Sequence, residues 1–417
     1  MTTATVVGGG PAGLMAAEVL AGAGLTVTVF EHNRSVGRKL LLAGRSGLNL
    51  THNEPFDDLL MRYGPAAPRL HESLSAFDAG RLRHWCESLG QPTFVGSTGR
   101  VFPEAMRAAQ LLRAWLARLA DCGVALEVGA RWQGWASDGH GGCDPRRLRF
   151  ERRNGIQFEV VSDVTVLALG GASWPRVGSD GGWVNVLRAA GVAVNDLRPA
   201  NCGVLVDWSP GFVERFEGMP LKNVAIAAGD AVVRGDATVT RGGLEGSPVY
   251  ALSAAIRNDI DSLGQCRVTI DLQPDLDADR LTDRLRSGRS KDSLSTSLRR
   301  TIGLSKVAIA LLSEAATGRP PSDPSELATL VKAVPFAIIE TMPIARAISS
   351  AGGVSFDAVN GSLMLDQLPG TFVAGEMLDW EAPTGGYLLQ ATFSTAVSAA
   401  RGAISWLSQQ PDQRGCL

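Results

Sequence analysis

The hydrophobic positions of this chain come in two rhythms. At the amino terminus Thr5-Val6-Val7 is a β-branched run that predicts a strand, and Leu14-Met15-Ala16-Ala17 with Val19-Leu20 form one face of a helix. Gly22-Ala23-Gly24 closes that helix, and Val27, Val29 and Phe30 make a second strand ending at Glu31. Residues from about Phe56 to Leu119 read as helical, with Leu82, Trp85 and Leu89 on one face and Leu111, Leu112, Trp115, Leu116 and Leu119 on another. Between them Gly99-Arg100-Val101-Phe102-Pro103 reads as a short loop or strand. A strand over Gly123–Val128, a hairpin-like region from Arg131 to Val161 and a strand from Val164 that stops at Gly170-Gly171 follow.

From about Asp196 the pattern shifts to short strands separated by turns: Val204–Val206, Val224–Ala227, Ala231–Val233, Val239 and Val268–Ile270. Asp275–Ser290 and Leu298–Ala316 read as helices, and Gly318–Pro321 with Asp323-Pro324 as loop. Near the end Ala351–Val354 reads as a turn, Gly361–Leu365 as a strand end, and Gly370–Asp379 as a strand running into an acid-bearing turn. Thr384-Gly385-Gly386-Tyr387 then opens a helix from Leu388 to about Leu407. These elements predict an α/β protein that opens on a Rossmann-like unit, a theme to which the last seventy residues return. An inserted domain fills 196–345, β-rich to about 272 and helical from about 273.

The turn after the first strand, Gly8-Gly9-Gly10-Pro11-Ala12-Gly13, carries the spacing G-x-G-x-x-G. Gly8 permits a tight turn, Gly10 lets backbone approach a pyrophosphate, and Gly13 lets helix and strand pack closely. The amides of the helix N-terminus suit a pyrophosphate, and Glu31 stands where a carboxylate can accept from ribose hydroxyls. Small residues crowd the run Ala43–Asn53, as they do where backbone passes something flat or charged. Arg38 and Lys39 precede it as candidate phosphate partners. The strand that stops at Gly170-Gly171 suits a position abutting a cofactor, because bulk there would block it. A helix announced by Thr-Gly-Gly offers a second focus of partial positive charge.

Composition narrows the function classes. The chain has 417 residues, 45% hydrophobic and 20% charged, and a net charge of −2, so nothing in its overall charge points to nucleic acid or an anionic membrane. Its six cysteines form no C-x-x-C pair and its five histidines show no metal-ligand spacing, which fits a reducing compartment and no metal site. The first strand leaves no room for a signal peptide, and no apolar run approaches a bilayer span. The expectation is a cytoplasmic protein of undetermined oligomeric state.

With both ends of the chain in view, the sequence resembles the BaiN/YhiN-like family of NAD(P)/FAD-dependent flavoproteins over nearly its whole length. The carrying segments are Gly8–Gly13 with Glu31, Gly37–Leu40, Gly99–Pro103, Ala168–Gly171 with Ser173 and Pro175, Ala351–Val354, and Gly375–Asp379 followed by Thr384–Gln390. Where family members carry an arginine, a cysteine and an asparagine in the loop after G-R-K, this chain has Ser46-Gly47-Leu48-Asn49, keeping Asn49 and lacking the cysteine. The usual G-L-S-G-P of the insertion stands here as Gly243-Leu244-Glu245-Gly246-Ser247-Pro248.

The resemblance implies a discontinuous FAD domain of the two-dinucleotide type, residues 1–195 and 346–417, with FAD held noncovalently. Gly10, Pro11, Ala12 and Gly13 would meet the pyrophosphate, Glu31 the adenosine ribose, Arg38 or Lys39 a phosphate or ribose edge, and Trp132 the adenine through its backbone. Ala168 and Gly170 would abut the cofactor, with Gly375 and Glu376 by the ribityl and pyrophosphate and Asp379 nearby. Gly386, Tyr387 and Leu388 would present amides to the pyrimidine side of the ring, and Gly44 to Asn49 would pass its other side. No residue stands out as a proton donor. The activity implied is an FAD-dependent reductase acting on a small, partly apolar substrate, with NAD(P)H as a transient electron donor. The alternative is a flavoprotein whose FAD is structural or serves an RNA or protein partner.

Overall fold

The computed structural model describes residues 1–45, 47–289 and 291–410; Ser46, Ser290 and the terminus from 411 on, with Cys416, lie outside the described residues. The chain forms two compact units, one of residues 1–198 with those from 349 on, the other of Pro199–Ile348.

The first unit is built on five parallel strands, β1 (Thr3–Val7), β2 (Thr26–Glu31), β3 (Ala125–Val128), β4 (Val164–Leu167) and β5 (Thr371–Val373), in the order β5-β4-β1-β2-β3. In β1 and β4 almost every residue is buried, as expected of parallel strands covered on both faces. On one face lie helix α1 (Pro11–Gly22) and the long terminal helix α3 (Tyr387–Gln409), packed along each other through alanine-rich surfaces. A short helix α2 (Arg38–Ala43) lies between β2 and the small-residue loop. The other face carries an antiparallel meander of Ala130–Ser137, Cys143–Arg152 and Gln157–Val161, anchored where Phe30 of β2 stacks on Phe150 with ring centroids 4.2 Å apart.

One carboxylate interrupts the apolar surface of α1. Glu18 accepts from the indole Nε1 of Trp115 at 2.6 Å and of Trp85 at 3.1 Å, and from Arg118 at 3.1 Å. Both indoles are buried, so each N–H needs this acceptor. Glu18→Gln keeps one carbonyl acceptor and loses the charge. It is expected to cost about 1–2 kcal/mol, read as a lower urea midpoint at unchanged m-value.

The helical region after Phe56 is more broken than its periodicity predicts: helices Phe56–Met61, Ala67–Ala76, Ala79–Ser88 and Ala108–Asp121 flank strands Thr93–Val95 and Arg100–Pro103. The expected turn at Ala351–Val354 is a buried strand, Ser349–Val354. Its glycines serve close approach: a Cβ on Gly352 would lie 2.1 Å from the Asp196 carbonyl oxygen, and one on Gly353 2.4 Å from that of Met377. Glycine composition alone does not separate such contact from a turn.

The second unit has its own core around a six-stranded sheet, in the order Val204–Leu205, Gly243–Gly246, Ala231–Thr240, Pro220–Ala228, Cys266–Asp271 and Val334–Ile338. Helices Ala278–Arg286, Leu294–Thr301, Lys306–Ala315 and Pro324–Lys332 contribute buried leucines and valines to that core. Gly303, at φ +70, falls between the second and third of these, so the expected helix Leu298–Ala316 is two. No helix among the described residues is long and apolar enough to cross a membrane.

Candidate functional site

From β1 the chain moves to β2 on one side, while β4 lies on the other, so the carboxyl edge between β1 and β4 is a topological switch point. The glycine turn sits there. Gly8 has φ +107 and a Cβ on it would lie 2.3 Å from the Ala168 carbonyl oxygen; one on Gly13 would lie 1.8 Å from the Gly8 carbonyl oxygen. These two glycines are demanded by packing of β1, α1 and β4. At Gly10 an added Cβ meets nothing within 4 Å, so the chain itself does not require glycine there. Pro11 opens α1 and no side chain caps it, which leaves first-turn amides, those of Ala12 and Gly13, free of intrahelical partners.

Glu31, at the end of β2, is buried and turned back onto the glycine turn. Its Oε2 accepts from Gly9 N at 2.9 Å, and its Oε1 from Asn33 N at 2.8 Å and Asn33 Nδ2 at 2.9 Å. A carboxylate so held keeps a lone pair on Oε2 for a further donor. Arg38 donates to Asn33 Oδ1 at 2.8 Å and to the Arg176 carbonyl, bracing this corner. Next to it a cavity of about 110 Å³ is lined by Gly8, Phe30, His32, Arg131, Trp132 and Asp180, among others.

His32 is held below its ordinary value chiefly by burial. The nearby Arg131 and Arg38 add to the shift, against the Glu31 and Asp180 carboxylates. The unfolded chain takes up a proton below pH 6.5 that the folded chain resists. Stability is therefore full above pH 6.5 and falls as the pH drops from there through the lowered folded value. Thermal melts should show this acid loss, and it should shrink in His32→Gln; parallel pH profiles for the two proteins would refute it.

The amino- and carboxy-terminal segments meet at a second cluster. Lys39 Nζ donates to Glu376 Oε2 at 2.7 Å and to Ser173 Oγ at 2.6 Å. Glu376 also accepts from Ser350 N at 2.9 Å and from Gly171 N at 3.4 Å. Gly170 has φ +70, with its Cβ direction facing Ser179 Oγ and Glu376 Oε2 at 3.5 and 3.9 Å. A Cβ on Gly375 would lie 2.8 Å from that of Ala12, so the carboxy-terminal segment presses on the start of α1. Asp379 Oδ2 accepts from Asn195 Nδ2 at 2.6 Å.

The third cluster surrounds the N-terminus of α3. Gly386, at φ +103, ends the glycine pair, and strand Thr51–His52 crosses so close that a Cβ there would lie 2.5 Å from the Thr51 carbonyl carbon. Thr51 Oγ1 donates to Gln390 Oε1 at 2.6 Å, fastening strand to helix. The Tyr387 ring stacks on His52 at 5.4 Å, and Arg62 lies 5.8 Å over it while donating to Glu54 at 2.8 Å. Burial, then the Glu54 carboxylate, pushes the Tyr387 phenol well up. For Glu54, burial works upward and is outweighed by Arg62 and the Tyr387 hydroxyl, so the carboxyl titrates below its usual range. Leu388 is half-buried against the core. Gly44 packs on Ala108, where a Cβ would lie 2.4 Å from that of the alanine.

Four side-chain atoms along these clusters are buried and have no hydrogen-bond partner among the described residues: Asn49 Oδ1, His52 Nδ1, Trp132 Nε1 and Ser179 Oγ. Buried polar atoms are nearly always satisfied, so such atoms mark places where a ligand or water completes the structure. Sequence reading singled out Asn49 and Trp132 but passed over His32, Asn33, Glu54, Ser179 and Ser350. Glu54, Ser179 and Ser350 sit outside any glycine signature and reach the clusters through tertiary packing, while His32 and Asn33 directly follow Glu31 and carry no signature of their own.

The HI0933-like protein Rossmann domain family matches residues 2–402. The 3-dehydro-bile acid delta(4,6)-reductase of Clostridium scindens is 26% identical over 413 residues, covering 95% of this chain and 98% of that protein. Among solved structures, 3-ketosteroid delta1-dehydrogenase from Sterolibacterium denitrificans, in complex with 1,4-androstadiene-3,17-dione, superposes with a TM-score of 0.54 at 13% identity. The match covers 96% of this chain and 99% of that one, a likeness of fold. The glycine turn, the split sheet and the Gly375–Gln390 segment are thus those of a family, and the chain belongs to the HI0933-like Rossmann-domain proteins.

Proposed function

We propose that this flavin-dependent oxidoreductase holds FAD noncovalently along the three clusters and reduces a small, partly apolar molecule bearing a carbon–carbon double bond. The observation that carries the reading is the meeting of the two chain ends. Gly375 abuts Ala12, and Glu376 is paired with Lys39, so the turn that suits a pyrophosphate and the segment leading to α3 form one continuous edge. The unpartnered Asn49, Trp132 and Ser179 atoms along that edge suit a large ligand with many polar atoms.

In this reading Gly10, Pro11, Ala12 and Gly13 hold the pyrophosphate, and Glu31 and the His32–Trp132 cavity hold the adenosine. Glu376, neutralised by Lys39, accepts from ribityl hydroxyls without repelling the phosphates. Ala168 and Gly170 keep that edge clear of side chains. The first amides of α3, at Gly386, Tyr387 and Leu388, point the helix's partial positive charge at the ring and stabilise negative charge there. Asn49 and the strand after it cover the opposite side. FAD, when bound, supplies the hydride chemistry. Asp379, held by Asn195, stands near the ribityl and pyrophosphate.

The name of the Clostridium scindens relative supports an unsaturated ring compound as the substrate class. NADH or NADPH docking transiently is the proposed electron source, and the discontinuous domain plan of 1–195 and 346–417 around an insertion is part of the same proposal. Chromatography of flavin released from the purified protein should identify FAD, and anaerobic addition of NADH or NADPH should bleach it. A colourless protein that does not reconstitute with FAD would end the reading; failure of both nucleotides would end only the choice of donor.

A further inference from the structure

The second unit contains a cavity of about 600 Å³ that no part of the flavin reading uses. It lies among helices Pro210–Phe216, Leu294–Thr301 and Lys306–Ala315. Its volume falls within the roughly 300–1,000 Å³ of small-molecule sites, too compact for a docked helix. We infer that it binds a small amphipathic anion, with a carboxylate- or sulfonate-type head on an apolar body.

The floor is rigid and apolar. Phe212 and Phe216 line it with ring centroids 5.3 Å apart, Ile309 and Ala310 face the same space, and Trp208, outside the lining, packs on Phe212 at 4.9 Å. Phe212 and Phe216 are buried in the core of the unit, so the floor is held in place before any ligand arrives. An apolar body laid on it leaves water without disturbing the protein.

The rim is positive. Arg215, Arg299 and Lys306 line the cavity, and none is ion-paired among the described residues. The single carboxylate of the lining, Glu314, is already committed: it accepts from the backbone N–H and the hydroxyl of Ser209. Helix stability does not account for the placement of Lys306. It occupies the first position of its helix, where the dipole disfavours a cation, and Ser305 already caps that helix by accepting from Ala308 N. Arg215 is pre-positioned, its guanidinium 5.3 Å over the Phe216 ring at the border of floor and rim. A basic rim with an apolar floor selects a molecule carrying negative charge at one end, and the surplus of cations disfavours a cationic or neutral one.

The test uses the FAD-loaded full chain, so that the flavin site is filled, with 1-anilinonaphthalene-8-sulfonate as fluorescent probe. Saturable binding that dodecanoate displaces is expected. In Arg299→Glu combined with Lys306→Glu, both exposed, the affinity should fall at least about tenfold while bound FAD is unchanged. Ile309→Trp, which fills the floor and leaves the charges, should weaken the probe to a similar extent. The uncharged N-phenyl-1-naphthylamine should bind the parent protein much less tightly. The inference is overturned by absent binding, by equal binding of the uncharged analogue, or by unchanged affinity in the charge-reversed protein. Displacement by poly-L-glutamate and not by dodecanoate overturns it in favour of a protein partner. FAD loading only keeps the probe out of the flavin site, and FAD content reports the flavin reading separately from probe binding.

Discussion

Gly10→Ala is expected to leave the apoprotein as stable as the parent and to weaken FAD about a hundredfold, roughly 2.7 kcal/mol. Gly10 has extended backbone, φ −84 and ψ −176, which alanine adopts without strain, and the added methyl meets no atom of the chain within 4 Å. Under the proposed placement of FAD, its consequence is to stand where the pyrophosphate comes close to the backbone. Gly13→Ala is the contrasting case. Its methyl would sit 1.8 Å from the Gly8 carbonyl oxygen, so α1 must shift from β1, at a cost of about 1–3 kcal/mol or more before any ligand is added. Thermal melts of both apoproteins and FAD titrations separate the two. A Gly10→Ala protein that binds FAD like the parent would remove the pyrophosphate from this turn.

The second large effect is expected at Lys39. Lys39→Met strips Glu376 of its charged partner, leaving a mostly buried carboxylate with, among the described residues, the Gly171 and Ser350 amides, beside the proposed path of two phosphates. Because both side chains retain some exposure, 28% and 14%, solvent softens the penalty to about 2 kcal/mol of stability. FAD affinity should fall further, about a hundredfold, because the ligand's own charge adds to the unbalanced one. Glu376→Gln, by contrast, leaves Lys39 near an anionic ligand and should cost FAD less than tenfold. In the double variant the losses should fail to add by more than about 1 kcal/mol. Additive losses would show that the two residues act on the cofactor independently.

What the sequence disclosed was uneven, for physical reasons. The β1–α1–β2 unit was legible because its glycines, apolar periodicities and terminal acid lie within one short stretch, where local geometry dictates residue type. FAD-type organisation was legible only by resemblance, since Gly375–Gln390 joins the candidate site through a sheet pairing that no local pattern encodes. The strand at Ser349–Val354 was misread because two adjacent glycines mean a turn when seen alone and backbone contact when Asp196 and Met377 are in place. Glu54 and Ser350 are ordinary polar residues in sequence; they matter through what Tyr387 and Glu376 bring against them. Glu31 was recognised as an acid in the right position, yet its grip on Gly9 and Asn33 belongs to the folded turn.

The position of β5 has a consequence for how the protein is made. It closes one edge of the parallel sheet by pairing with β4, and roughly 200 residues of chain separate the two. At roughly 5–20 residues per second of synthesis, β4 waits some tens of seconds with an unpaired, strongly apolar edge. Open edges of that kind recruit foreign strands. The nascent protein therefore passes through a long interval of exposure to aggregation, and premature termination anywhere before Thr371 leaves a product with that edge permanently open.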